Sequence, residues 1–200
     1  MYFDLHCHPS FKPVLSKFLP AEKDHCWNTY NSIGAILDSQ SSLEQLQSGK
    51  VHVATATIYV MEKGMSTNFM IRYIVPKLSN LDPQMLDTLP SANYFERLNE
   101  ELTHLLNSRD HDPENGKHFN VINSFADIVP DKLNLILAIE GGYSLSSTNI
   151  PLREKMLELK TGQHKFLYMT LVHATQFKDY CTHAFSMKLI KNNPEFKPKG

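Results

Sequence analysis

The feature that most restricts the fold of this chain is an unbroken apolar run, LNLILAI, at residues 133–139. A strand with one face toward solvent alternates apolar and polar residues, whereas this run is apolar at nearly every position. Such a run is typical of a strand covered on both faces, as in parallel sheets flanked by helices. Gly141 and Gly142 follow it and predict a turn. The run therefore predicts a central strand of an α/β fold.

Further strands and helices alternate along the chain. Apolar or β-branched segments predict strands at residues 2–7, 51–60 and 166–172, and helical spacing or capping residues predict helices at 41–47, 92–107 and 151–161. The longest helix carries an apolar stripe and has Ser91 placed as its N-cap. Strands that alternate with helices favour a parallel sheet, and we expect the (β/α)8 TIM-barrel type. Because a closed barrel of this type takes about 250 residues, residues 1–200 correspond to one domain with about the first four strands.

Bulk properties restrict the function classes. The 200 residues carry a formal net charge of −1, which gives no broad attraction to nucleic acid or to anionic membranes. No apolar stretch approaches the roughly 20 residues that span a bilayer, and Asp4, His6 and His8 interrupt any signal-peptide core. The odd number of cysteines, three, shows no paired spacing and favours a reducing compartment. We therefore expect a cytoplasmic protein without a membrane segment.

The first strand carries the strongest chemical signal. Side chains alternate along a strand, so Asp4, His6 and His8 are expected on one face, with Leu5 and Cys7 on the other. Two imidazoles two residues apart at the carboxyl end of a strand can bind one zinc ion together. The ordinary alternative is a pair of surface histidines without a ligand. The apolar strand before the pair favours metal binding by His6 and His8.

Two later strands end in further candidates. Glu140 directly follows the apolar run, where an unpaired carboxylate would be costly and a metal ion would compensate for it. The alternative is a carboxylate that caps the following turn. His173 ends the segment FLYMTLVH and is a candidate for binding substrate or stabilising an oxyanion, or else a plain core histidine. Cys7 is expected to be a packed side chain and not a ligand.

Three motifs, DLHCHPS, AIEGGYSL and FLYMTLVHA, resemble in order and spacing the amino-terminal half of the membrane (renal-type) dipeptidase family of the amidohydrolase superfamily. The resemblance implies a (β/α)8 barrel with two divalent ions, usually zinc, and hydrolysis of dipeptides or short amides. It implies that His6 and His8 bind the first ion, that Glu140 bridges both ions, and that His173 contacts substrate and polarises the scissile carbonyl. Tyr143, in the second motif, is a further candidate for substrate contact.

The chain departs from that family in two respects. The family usually has His-x-Asp in the first motif, whereas His8 stands in the second position here. The family's later histidines and its catalytic aspartate have no counterpart after His183. Other metal hydrolases of the superfamily, such as TatD-like nucleases, lactonases and deaminases, therefore stay open, as does an inactive metal-binding fragment. The expected partner is a dipeptide or small amide, with no nucleic acid, and a homodimer is left open.

Overall fold

The computed structural model describes residues 2–11, 26–29, 41–61, 70–74, 87, 93–145, 151–162 and 166–170. The elements in chain order are strand β1 (Tyr2–Cys7), helix α1 (Leu43–Ser48), strand β2 (Val51–Tyr59), helix α2 (Tyr94–Asn107), strand β3 (Phe119–Val121), strand β4 (Leu133–Glu140), helix α3 (Leu152–Thr161) and strand β5 (Phe166–Thr170). Single turns of other helix types lie at Met70–Ile74, Pro113–Asn115, Phe125–Asp127 and Gly142–Leu145.

The five strands form one parallel sheet in the order β1-β2-β4-β3, with β5 also paired to β4. Strand β2 occupies one edge of β4 along nearly its whole length. On the other edge, β3 pairs with Leu133–Leu135 and β5 with Leu137–Glu140. An all-parallel sheet whose strands are linked through helices is an α/β fold, as the sequence predicts. The carboxyl ends of β1, β2 and β4 therefore meet at one end of the sheet.

Strand β4 is buried on both faces, as its apolar run predicts. Leu135 and Leu137 lie on the face that packs with residues of α1 and α2, while Ala138 on the opposite face is also fully buried. In β2 the register places Ala54, Ala56 and Ile58 beside Leu135, Leu137 and Ile139. Buried residues of α1 and α2 pack against these strand residues. The buried side chains thus fix which face of the sheet carries the helices.

The ends of two elements differ from the sequence predictions. Helix α2 begins at Tyr94, and its N-cap position is Asn93, in the left-handed region (φ 60°) without a capping side-chain bond. The predicted cap, Ser91, lies outside the described residues. Strand β1 is also less regular than predicted, because its pairing with β2 shifts between Asp4 and Cys7. Across that interval β1 has one residue more than β2, which is the definition of a β-bulge.

Helix α1 begins at a complete capping box. The Ser42 side chain accepts the N–H of Gln45, and the Gln45 side chain accepts the N–H of Ser42. Leu43 and Leu46 are buried on its inner face. No helix in the described part of the chain is both long and apolar enough to cross a membrane.

Candidate metal centre

Three side chains predicted as metal ligands meet at the carboxyl end of the sheet. His6 Nε2 lies 3.0 Å from Glu140 Oε2, His8 Nε2 lies 3.2 Å from the same oxygen, and the two imidazole nitrogens are 3.1 Å apart. His6 and His8 come from the end of β1, and Glu140 is the last residue of β4. Among the described residues, these three form the one group of His, Cys, Asp or Glu side chains arranged to hold a metal ion.

The spacing of the three atoms fits a zinc ion. Tetrahedral zinc with bonds of 2.0–2.2 Å requires neighbouring ligand atoms to be about 3.3 Å apart. The observed separations of 3.0–3.2 Å need only a few tenths of an ångström of expansion. Imidazole nitrogen and carboxylate oxygen are both ordinary zinc ligands, and a set of three leaves a coordination position open. The residues present therefore fit a catalytic type of zinc site.

The orientation of His8 is set by the backbone of the neighbouring strand. Its Nδ1 lies 2.9 Å from the carbonyl oxygen of Thr57 in β2. A carbonyl oxygen only accepts, so Nδ1 carries the proton and donates it. In the neutral ring, the Nε2 lone pair is then free to point toward His6 and Glu140. This arrangement, a ligand histidine whose other nitrogen donates to a backbone carbonyl, is typical of metal-binding histidines.

Charge within the cluster favours a cation. Burial acts to lower the pKa of His8, but the hydrogen bond and negative charge of Glu140 outweigh it, and the pKa is raised above its ordinary value. Without a metal, the protonated His8 ring also donates from Nε2 to Glu140, and this hydrogen bond holds the pKa of Glu140 below its ordinary value despite partial burial. Glu140 is therefore a carboxylate at neutral pH. Its side chain is 25% exposed, which leaves room for solvent or a small ligand.

The backbone after Glu140 turns sharply into a short helical turn. Gly141 has φ 91°, in the left-handed region that favours glycine, and its carbonyl accepts the N–H of Ser144. This turn covers Gly142–Leu145, which includes Tyr143. The contact of Tyr143 with substrate stays a prediction. His173 lies outside the described residues, and its role also stays a prediction.

Asp4, predicted to share one face with His6 and His8, does not join them in the ligand group. Its carboxylate accepts the backbone N–H of His6 at 3.0 Å. Leu5 and Cys7, which the alternation predicts on the other face, differ in burial, since Leu5 is 79% exposed and Cys7 is 3% exposed. Both observations concern the interval from Asp4 to Cys7, where one extra residue in β1 interrupts the two-residue alternation.

Cys7 is a packed side chain, in agreement with the sequence prediction. Its Sγ contacts the carbonyl oxygen of Thr55 at 3.4 Å. Burial, together with the negative charge of Asp4, raises its pKa to about 12. Because only the thiolate is a good metal ligand, this thiol is unsuited to metal binding at neutral pH.

Sequence reasoning missed three residues beside the site. The carbonyl of Thr57 orients His8. Ser10, two residues after His8, and Glu101 form a buried pair, with Ser10 Oγ 2.6 Å from Glu101 Oε1. Glu101 carried a readable signal, because it interrupts the apolar stripe of α2 between Leu98 and Leu105. Thr57 contributes only its backbone carbonyl, for which a sequence gives no signal.

Comparisons of the chain with protein-family models, with curated proteins and with solved structures give no match.

Proposed function

We propose that this chain is a metal-dependent hydrolase of the amidohydrolase type that cleaves dipeptides or short amides. The observation that supports the proposal most strongly is the convergence of His6 Nε2, His8 Nε2 and Glu140 Oε2 within hydrogen-bonding distance of one another. These atoms come from two strands, β1 and β4, that are separated by β2 in the sheet. The carboxyl ends of parallel strands are where α/β barrel enzymes carry their chemistry.

The residues of the site have distinct tasks in this proposal. His6 and His8 supply neutral nitrogen ligands, and Glu140 supplies an anionic oxygen whose charge offsets that of a divalent cation. The carbonyl of Thr57 keeps the proton of His8 on Nδ1, away from the ligand nitrogen. Zinc bound there supplies Lewis acidity and a source of hydroxide at neutral pH. His173 and Tyr143 are the residues we propose for binding substrate, in a (β/α)8 barrel where Glu140 also serves a second ion.

One observation favours a second candidate function on the same scaffold. His8 occupies the position where the dipeptidase family usually has aspartate, and His-x-His is common among other superfamily members. A TatD-like nuclease, a lactonase or a deaminase would likewise use a His-x-His pair on the first strand. The net charge of −1 disfavours a polynucleotide substrate, because phosphate binding normally requires a basic surface.

Metal content tests the centre directly. We expect the protein prepared with zinc to retain stoichiometric metal in elemental analysis, and the His6→Ala, His8→Ala double variant to lose it. His118→Ala is a matched control, because His118 also pairs with a carboxylate, Asp110, but belongs to a loop before β3. Loss of metal in the control to the same extent, or absence of stoichiometric metal from the wild type, would contradict the proposed centre.

Substrate class requires a separate assay. Dipeptides, lactones and phosphodiesters are offered in parallel to the zinc-loaded protein, with Glu140→Gln as the inactive reference. We expect amide hydrolysis that disappears in Glu140→Gln. Phosphodiester or lactone cleavage without dipeptide cleavage would replace the dipeptidase proposal by the second candidate. Stoichiometric metal without any hydrolysis would favour the inactive metal-binding alternative.

A further inference from the structure

Glu101 is a buried acidic residue that the proposed chemistry does not use. It lies on α2 and is only 2% exposed, between Leu98 and Leu105, which are both fully buried. Its Oε1 accepts a hydrogen bond of 2.6 Å from the hydroxyl of Ser10, a residue with no exposed surface. An apolar side chain at this position would bury without a desolvation cost, so packing alone does not account for a carboxyl group here.

The Ser10–Glu101 pair joins the carboxyl ends of β1 and β2. His8 follows β1 directly and bonds to the backbone of β2. Ser10 follows His8 by two residues, and Glu101 also takes a backbone hydrogen bond from Tyr59, the last residue of β2. The Tyr59 ring lies edge-on to the His8 ring, with centroids 6.2 Å apart. One carboxyl group on α2 therefore connects the turn after β1 to the carboxyl end of β2.

The same two strand ends must keep a fixed distance for His8 to act as a ligand. The Nδ1–H of His8, from β1, donates to the Thr57 carbonyl of β2. The pairing of β1 with β2 ends at Cys7 and Ala56, one residue before His8 and Thr57. Among the described residues, no further strand pairing joins β1 and β2 beyond that point. The bonds of Glu101 to Ser10 and to Tyr59 lie where that support is missing.

We propose that Glu101 is a positioning residue of the metal centre: by binding Ser10 and the Tyr59 backbone, it holds His8 against Thr57 with Nε2 directed at Glu140. The inference rests on the proposed function, because it assigns a task toward the metal ligands. Glu101 itself takes no part in metal coordination and lies outside the ligand group. Outer partners of this kind typically change metal affinity by about 10- to 100-fold when removed.

The first measurement is zinc affinity, by competition with a chromophoric chelator. We expect Glu101→Ala to weaken zinc binding at least about tenfold, and Ser10→Ala to weaken it by about three- to tenfold. Glu101→Gln keeps an accepting oxygen and is expected to bind within about threefold of wild type. The control is Asn134→Ala, which removes an equally buried, hydrogen-bonded side chain at the amino-terminal end of β4. It is expected to leave the affinity unchanged.

The second measurement uses metal-free protein, so that it does not depend on zinc. The imidazole nitrogen chemical shifts of His8 report which nitrogen carries the proton. At alkaline pH, where the His8 ring is neutral, we expect the Nδ1–H form in wild type and in Asn134→Ala, and a shift toward a mixture of forms in Glu101→Ala. Ser10→Ala provides the same comparison if Glu101→Ala fails to fold, because it removes only the hydroxyl donor.

Failure of the proposed function and failure of the positioning inference give different results. If wild type binds no zinc, the proposed function is wrong, and the His8 shifts alone decide whether Glu101 positions the ring. If wild type binds zinc but Glu101→Ala and Ser10→Ala weaken it no more than Asn134→Ala does, the positioning inference is overturned. Unchanged His8 shifts in both variants overturn it as well.

Discussion

The carboxyl group of Glu101 links the stability of this protein to pH. Burial raises its pKa from 4.5 to about 7, against the opposing effects of the Ser10 hydrogen bond, the charge of His8 and the Tyr59 backbone. Between these two pH values the folded protein holds a proton that the unfolded chain releases. The free energy of unfolding therefore falls by on the order of 3 kcal/mol as the pH rises from about 4.5 to about 7. Above about pH 7 the contribution of Glu101 to the free energy of unfolding no longer changes with pH.

Glu101→Gln tests this linkage, because its amide does not titrate. In urea unfolding with a chelator present, we expect the variant to gain stability relative to wild type as the pH rises through that window. Glu100→Gln is the matched control, since Glu100 is the preceding residue of α2 but is half exposed and paired with Arg97. Stability curves of wild type and Glu101→Gln that run parallel from about pH 4.5 to above pH 7 would disprove the linkage.

Asn134 joins three segments of the structure at the amino-terminal end of β4. Its Nδ2 lies within 3.0 Å of the carbonyl oxygens of His52, Val129 and Lys132, and its Oδ1 accepts the N–H of Val129. The side chain has no exposed surface. An asparagine within an otherwise apolar run is thus a connector between β2, the preceding loop and β4.

Asn134→Ala should therefore lower the free energy of unfolding by roughly 2–4 kcal/mol, because it removes four hydrogen bonds made by one buried side chain. Chemical denaturation of the metal-free protein measures this loss. The control is Asn115→Ala, which removes an exposed asparagine that bonds only within its own turn to Asp112; we expect a loss below about 1 kcal/mol there. Equal losses in the two variants would refute the role of Asn134.

Strands β4 and β1 differ in how well the sequence predicts them. The apolar run predicts β4 at residues 133–139, and the structure has Leu133–Glu140, because burial on both faces leaves a pattern that needs no knowledge of partners. The bulge in β1 has no such pattern, since it depends on how β1 pairs with β2. Asp4, where the shift in register begins, is not part of the ligand group although the sequence alternation places it with His6 and His8.

In the candidate site, the sequence predicts the metal ligands but not the contacts that support them. The meeting of His6, His8 and Glu140 follows from parallel strands whose carboxyl ends share one end of the sheet, so strand prediction was sufficient to find it. The Ser10–Glu101 bond joins residues 91 positions apart, and it requires the orientation of α2 on the sheet. Local patterns carry no information on that orientation. Supporting contacts are therefore harder to predict than ligands.

Strand β1 lies at the edge of the described sheet, and its outer edge pairs with none of the other described strands. It presents Tyr2, Phe3 and Leu5, which are 66%, 50% and 79% exposed. An exposed apolar edge strand is a site at which chains associate through their free backbone groups. A lysine there opposes such pairing by charge. We expect Leu5→Lys to reduce concentration-dependent self-association in light scattering while changing the free energy of unfolding by less than about 0.5 kcal/mol.

Leu157→Lys separates the edge effect from simple loss of apolar surface. Leu157 is 59% exposed but lies on α3, where the backbone groups are already bonded within the helix. If the free edge of β1 drives association, Leu5→Lys lowers scattering and Leu157→Lys does not. Equal decreases in both variants would assign the association to exposed apolar side chains in general, and no decrease in Leu5→Lys would exclude the edge of β1 as its cause.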